Sequence, residues 1–386
     1  MNDFLMKTYN KKPASFVKGE GIYLWDDKGR KYIDALCGLA VTSLGHSNPE
    51  ISNIIKTQSE TLIHSSNAFN IKPQEELAEK LCLLSGMDKA FFCNSGAEAV
   101  ETSIKIAKKY GNDKNIKNPK IIVMENSFHG RTMAALSATD GVKAQKGFAP
   151  LLDGFIRAPY NNVEYIEKLV LEHNDIVAIL LESIQGEGGI IIPDKGYLKN
   201  LKRICSSNKL FLMIDEVQSG FCRTGKWFAF QHDEITPDVI MVAKALGNGV
   251  PIGACLAKNT ASDILTPGTH GSTFGGNFLS TTVGLKVVDI MQTLSINDNA
   301  KEMGDYFQNR LKEKIARKKT VKEIRGKGLM IGIELVNECI NLAETALKSG
   351  LIINVTQDNI IRMLPPLIIN RTQIDDIISI LNKIID

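Results

Sequence analysis

Leu210–Gln218 reads LFLMIDEVQ: five apolar residues, two acids, then Val217 and Gln218. A run this short and this continuously apolar reads as a strand covered on both faces, a signature of parallel sheets. Asp215 closes it, and a carboxylate there is costly unless a cation or a hydrogen-bond donor meets it. Working outward, Val239–Val242 repeats the pattern and delivers Lys244. Upstream, Ile176–Leu181 delivers Glu182, Lys120–Met124 precedes Ser127–Thr132, and Ala90–Cys93 precedes Ser95. Enough chain for a crossover helix separates these strands. The pattern predicts a mostly parallel α/β sheet, in which ligands bind beyond the carboxyl ends of the strands.

The last hundred residues read differently. Met303, Phe307, Leu311 and Ile315 recur every four positions among Lys and Arg, an amphipathic helix. Lys327–Leu335 and Ile360–Leu364 read as strands, and a final helix is expected from Thr372 with Asp375 as its cap partner. Ser280–Thr293 is expected as a long connecting helix after the Gly/Ser/Thr-rich stretch Gly268–Asn277. Near the start, Ile22–Trp25 and Lys31–Asp34 read as short strands around a turn. The expected division is an N-terminal segment over 1–50 that packs with a smaller α+β domain, a large domain over 51–275, and a connecting helix with that smaller domain over 276–386.

Composition narrows the function. Of 386 residues 44% are hydrophobic and 23% charged, and the net charge is +3. That is an ordinary globular balance with no phosphate-tracking surface, so no nucleic-acid partner is expected. The seven cysteines are scattered and odd in number, with no CxxC or Cys/His spacing, so free buried thiols and no metal are expected. Met1–Phe16 lacks the apolar core of a signal peptide, and Ile176–Ile192 is interrupted by Glu182, Gln185 and Glu187. A soluble, cytoplasmic chain with no membrane span is the expectation.

Each strand end has a plain structural reading and a chemical one. Ser95 with Glu98 is a helix cap, and a Ser-Gly-Ala helix start also offers amides to a phosphate. Phe128 and Arg131 fit a surface loop, or a ring-stacking aromatic beside a carboxylate clamp. Glu182 and Glu187 fit a solvated turn. Asp215 fits an internal ion pair, or the partner of a protonated heteroaromatic nitrogen. Lys244 fits a snorkelling side chain, or an amine freed by burial for Schiff-base chemistry. Taken together, a phosphate seat, a stacking ring, a carboxylate and an amine are the parts that hold pyridoxal 5′-phosphate.

From about Tyr23 to Pro366 the chain resembles the class III aminotransferases, pyridoxal-phosphate enzymes of fold type I. The resemblance rests on SGAEAVE (Ser95–Glu101), SFHGRT (Ser127–Thr132), ESIQGEGG (Glu182–Gly189), IDEVQSGFCRTG (Ile214–Gly225), AKALGNG around Lys244 and GSTFGGN (Gly271–Asn277). It implies a seven-stranded, mostly parallel sheet in the large domain, and a homodimer with shared sites. It also implies roles. Lys244 and Asp215 are catalytic, the first as Schiff-base lysine and proton carrier, the second at the pyridinium nitrogen. Ser95, Gly96, Ala97, Phe128, Glu216, Val217 and Gln218 contact the cofactor, with Thr273 reaching it from the neighbouring subunit. Arg131, with Ser272 nearby, holds the carboxylate of the amine donor. Arg362 binds the α-carboxylate of glutamate, and Glu187 masks it while an ω-amine is in place.

Gly38–Glu50, Ser66–Leu81 and Ile361–Leu367 carry the resemblance further, toward transfer of the terminal amine of N-acetylornithine to 2-oxoglutarate, as in arginine biosynthesis. Ornithine, succinylornithine or another ω-amino acid is the alternative donor. The sequence departs from the family pattern at Thr42, Cys222, Asn248, Val250 and Met363. An aminomutase on the same scaffold would not need two carboxylate clamps, so Arg131 and Arg362 together favour a two-substrate cycle.

Overall fold

The computed structural model describes residues 4–10 and 12–385; the first three residues of the Met1–Phe16 reading, and Lys11, lie outside them. In chain order, β1 (Phe16–Glu20), β2 (Tyr23–Asp26) and β3 (Lys31–Asp34) form an antiparallel meander. β4 (Lys89–Cys93), β5 (Lys120–Met124), β6 (Phe155–Ala158), β7 (Ile176–Glu182), β8 (Phe211–Asp215), β9 (Val239–Val242) and β10 (Gly253–Ala257) build the central sheet, in the order β4-β10-β9-β8-β7-β5-β6. β11 (Val321–Lys327), β12 (Met330–Leu335), β13 (Leu351–Ile352), β14 (Asn354–Thr356) and β15 (Ile360–Met363) follow.

The expected parallel sheet is present. β6, β5, β7, β8 and β9 pair in parallel, and all of β7, β8 and β9 is buried, as sandwiching between helix layers requires. β10 alone runs against the others, so β4 points the same way as β9 and their carboxyl ends share one edge. β6 and β10 escaped the sequence reading. β10 is GACLA, too small and glycine-rich to stand out, and the reason is packing: a Cβ on Gly253 would lie 2.4 Å from the Ser95 carbonyl oxygen.

The helix Gly96–Asp113 leaves β4 under an Ser95 cap and buries Val100, Ile104 and Ala107 against the sheet. Of its lysines, Lys105 is exposed, whereas Lys108 turns inward to donate to the Pro119 carbonyl at 2.6 Å. The connecting helix spans Phe278–Thr293 from an Asn277 cap.

The smaller unit is the antiparallel sheet β11-β12-β15-β14, flanked by the helices Ile296–Lys314 and Arg371–Ile384. Two local expectations are corrected here. Lys327–Leu335 is not one strand but the second half of a hairpin, broken at Gly328 with φ +54°. The last helix is capped by Asn370 with Gln373, not by Thr372 with Asp375, because Asp375 is taken by the Tyr306 hydroxyl at 2.9 Å and Arg310 Nε at 3.0 Å. The N-terminal meander gains a fourth strand from this unit, β13 pairing in parallel with β3. All seven cysteines are free. Among the described residues no helix is long and apolar enough to cross a membrane, and no group of His, Cys, Asp or Glu could hold a metal ion.

Candidate active site

Parallel strands end where their last peptide groups face a helix start, so the carboxyl edge of the central sheet collects polar residues at the rim of an apolar core. A cavity of about 400 Å³ lies along that edge. β8 supplies Asp215 and β7 supplies Glu182, its register partner, while Lys244 follows β9 after one residue. Three neighbouring strands therefore deliver two acids and an amine to one wall.

Asp215 is buried and its carboxylate is fully answered: Oδ1 accepts from the Val217 amide at 3.0 Å, and Oδ2 lies 2.9 Å from His129 Nδ1. Lys244 sits at φ +46°, a strained conformation for a side-chain-bearing residue, at the start of the 3-10 turn Lys244–Gly247. Burial pushes its ammonium below the usual lysine value, opposed by Asp215 and reinforced by Arg362. An amine that gives up its proton readily is what nucleophilic attack on an aldehyde needs.

Across the cavity, Ser95 Oγ accepts from the Glu98 amide at 3.2 Å, which leaves the first amides of the helix, at Gly96 and Ala97, without intrahelical acceptors. A Cβ on Gly96 would fall 2.8 Å from Val217 Cγ1, so only glycine fits this cradle. Phe128 and Val217 add apolar walls, and the Arg131 guanidinium carbon stands 5.4 Å from the Phe128 ring centre. Arg131 is exposed. Arg362, on β15 of the smaller unit, is 1% exposed, yet its NH2 is 2.8 Å from Glu187 Oε1 and its Nε donates to Asn354 at 3.0 Å. Gln218 lines the cavity with its Oε1 3.5 Å from Arg362 NH1.

Of the expected site residues, Ser95, Gly96, Ala97, Phe128, Arg131, Glu187, Asp215, Val217, Gln218 and Lys244 line the one cavity, and Arg362 reaches it through Glu187 and Gln218. Glu216 does not. Its carboxylate points into the protein, where Ser183 and Ser219 hydroxyls donate at 2.7 Å each, along with the Ala229 and Phe230 amides. It knits the loop after β8 and is corrected from cofactor contact to scaffold. Ser272 and Thr273 also lie outside the cavity of their own chain. Ser272 Oγ is engaged by Asn94 and the Gly275 amide, and Thr273 is exposed on the adjoining loop.

Two residues of the site were underweighted in the sequence. His129 fixes Asp215. Glu182 accepts from the Phe128 amide at 3.0 Å and the Gly186 amide at 2.9 Å, joining the aromatic wall to the loop that carries Glu187. Burial pushes its carboxyl up to about 7, with His129 opposing and Asp215 adding to the shift. The available signal was an acid at the end of a wholly apolar strand.

The cavity thus offers amides for a phosphate, apolar faces for a flat ring, a buried carboxylate for a ring nitrogen and a deprotonatable amine. These residues fit pyridoxal 5′-phosphate. Residues 5–385 match the aminotransferase class-III family. The acetylornithine aminotransferase of Nitrosomonas europaea is 49% identical over 381 residues, 99% of this chain and 97% of that protein. That of Aquifex aeolicus is 45% identical over 99% of this chain and 100% of its own. Among solved structures, ornithine aminotransferase from Toxoplasma gondii ME49 superposes with TM-score 0.95 at 32% identity, covering 99% of this chain and 92% of that one. Acetylornithine aminotransferase from Elizabethkingia anophelis gives 0.88 at 35%, covering 98% and 95%. A further structure of the Toxoplasma gondii enzyme holds pyridoxal phosphate at partial occupancy in its active site. A match along nearly the whole chain, on a cavity already shaped for that cofactor, places this protein in the class-III aminotransferases, the pyridoxal-phosphate-dependent transaminases.

Proposed function

We propose that this chain moves the terminal amino group of N2-acetyl-L-ornithine to 2-oxoglutarate, giving N-acetyl-L-glutamate 5-semialdehyde and L-glutamate, a step of arginine biosynthesis. The observation that carries this reading is the contrast between two arginines. Arg131 is exposed at the cavity, with no ion pair among the described residues, whereas Arg362 is buried and paired to Glu187 at 2.8 Å. One cation is always available to a donor carboxylate. The other is available only when Glu187 swings away, which suits a site that alternates between an ω-amine and an α-amino acid. Curated acetylornithine aminotransferases at 42–49% identity over nearly the whole chain support this choice of donor.

The roles follow from position. When bound, pyridoxal 5′-phosphate supplies an electron-accepting ring and an aldehyde carbon. Ser95, Gly96 and Ala97 would hold its phosphate with helix-start amides. Phe128 and Val217 would confine the ring from either side, and Gln218 would face its phenolic oxygen. Asp215, held by His129 and the Val217 amide, would keep the proton on the ring nitrogen. Lys244, its amine freed by burial, would tether the cofactor and take the proton from the donor's amine-bearing carbon. Arg131 would orient the donor by its carboxylate, and Arg362 the α-carboxylate of glutamate.

A homodimer belongs to this reading. Ser272 and Thr273 stand on an exposed loop outside their own cavity, where a second copy could receive them as substrate and phosphate contacts. We also read 51–275 as the cofactor domain, with 1–50 and 276–386 forming the unit that carries Arg362, and we assign the reaction to the cytoplasm, consistent with seven unpaired thiols.

A donor panel with 2-oxoglutarate tests the proposal: acetylornithine, succinylornithine, ornithine, 4-aminobutyrate and succinyl-diaminopimelate. The highest kcat/KM is expected for acetylornithine. A strong preference for free ornithine would replace it with the second reading, an ornithine transaminase, which the 0.95 superposition on the Toxoplasma gondii enzyme favours.

A further inference from the structure

Among the described residues the two largest fully buried side chains are both arginines, Arg362 and Arg223. Arg362 has a carboxylate. Arg223 has none: its NH1 donates to the carbonyls of Leu329 at 3.2 Å and Pro365 at 2.5 Å, and its NH2 to the Ser43 hydroxyl at 3.1 Å and the Cys37 sulfur at 3.6 Å. Burial lowers the proton affinity of the guanidinium. A buried cation held only by neutral acceptors is expensive, and a methionine would fill the same space without that cost. The hydrogen bonds must therefore serve something other than stability.

Their geometry shows what. Arg223 lies on the loop that leaves β8 through Asp215 and Gln218. Its acceptors lie on two other segments: residues 37–43, and the smaller unit at the β11–β12 turn and just past β15. Pro365 is three residues beyond Arg362. Backbone meets backbone along the same seam. The Leu329 amide donates to the Arg223 carbonyl at 3.0 Å, and a Cβ on Gly328 would lie 2.6 Å from the Thr224 carbonyl carbon. Arg223 does not line the cavity.

We propose that Arg223 is a positioning residue for Arg362: by gripping the Leu329 and Pro365 carbonyls it sets where the β15 guanidinium stands relative to Gln218 and Asp215, and so tunes the affinity for the α-carboxylate substrate. The fork of the guanidinium is essential to this, since NH1 must hold the Leu329 and Pro365 carbonyls while NH2 holds Ser43 and Cys37 from the same plane. The inference rests on the assignment of Arg362 to glutamate.

The test uses the holoenzyme and follows each half-reaction separately in single turnovers, for Arg223→Lys, Ser43→Ala and Arg362→Met. Arg223→Lys keeps the charge but not the fork. Because displacements of an ångström in a binding group are felt strongly, its KM for glutamate should rise about tenfold, with the acetylornithine half-reaction within about twofold of the parent. Ser43→Ala, which loosens the far side of the same guanidinium, should shift the glutamate KM in the same direction by about threefold. Arg362→Met should raise it further than either. An unchanged glutamate KM in Arg223→Lys, beside a raised one in Arg362→Met, overturns the inference alone; so does an equal loss in both half-reactions. An unchanged glutamate KM in Arg362→Met would instead remove the assignment on which it stands.

Discussion

Asp215 Oδ2 and His129 Nδ1 are 2.9 Å apart beneath the cavity, and the other ring nitrogen of His129 is buried without a partner. The tautomer that satisfies this arrangement carries its proton on Nδ1 and donates it to the carboxylate, because a proton on Nε2 would have no acceptor. Asp215 is thereby held in one rotamer by two donors, the imidazole and the Val217 amide.

Replacing His129 tests that hold. In His129→Ala one carboxylate oxygen loses its donor in a buried site, a loss of about 1–3 kcal/mol, or about 5- to 150-fold in the rate of the chemical step. His129→Asn, which restores an N–H near the Nδ1 position, should recover part of it. Single-turnover rates with acetylornithine check both, and equal rates in the parent and His129→Ala would remove the positioning role.

Lys244→Ala should abolish turnover and leave the cofactor-loaded protein with the absorbance of the free aldehyde, since no other amine lies on the cavity wall among the described residues. Phosphate-seat contacts remain in this variant, so bound cofactor should still be recovered after denaturation. An active Lys244→Ala enzyme would contradict the assignment of the base.

Glu187→Gln removes the anion opposite Arg362. The pair joins a buried guanidinium to a carboxylate whose side chain is 35% exposed, so its coupling is taken as about 1 kcal/mol and not more. The KM for glutamate should fall about fivefold, while kcat/KM for acetylornithine falls by a similar factor because an unmasked cation now faces the ω-amine donor. Opposite movement of the two half-reactions is the signature to measure; parallel movement would argue against a gate.

Glu182 makes stability depend on pH. Its carboxyl is pushed from 4.5 to about 7 by burial, so between these values the folded chain binds more protons than the unfolded one. Stability from this group is complete below pH 4.5 and is lost as pH rises through about 7, by about 3 kcal/mol in all for the cofactor-free protein. Glu182→Gln should be less stable at pH 5, where one of the two amides at Phe128 and Gly186 meets an amide NH2 in place of oxygen, and its curve should lack the fall between pH 5 and 7. Thermal midpoints across that range decide it; superimposable slopes would show that Glu182 does not titrate there.

Much of this was legible in the chain. Continuous apolar runs of four to six residues separated by crossover-length segments read as strands buried on both faces, so β5, β7, β8 and β9 were readable, and with them the edge where Asp215 and Lys244 emerge. β6 and β10 were not, because one is partly exposed and the other is built from Gly and Ala, whose value lies in what approaches them. The family resemblance likewise pointed to Arg131 and Arg362 as the two candidate carboxylate clamps, since residue type and motif are local properties. It could not say that Glu216 faces inward while Asp215 beside it faces the cavity: successive residues at a strand end point to opposite sides, and only the helix layers decide which side is core. Nor could it separate Arg223 from Arg362. Both are arginines in short motifs, but one is closed in by two carbonyls, a hydroxyl and a thiol from residues 37–43, the β11–β12 turn and the end of β15, while the other meets an acid from the loop after β7, and contacts between residues so far apart in the chain exist only once the fold is complete.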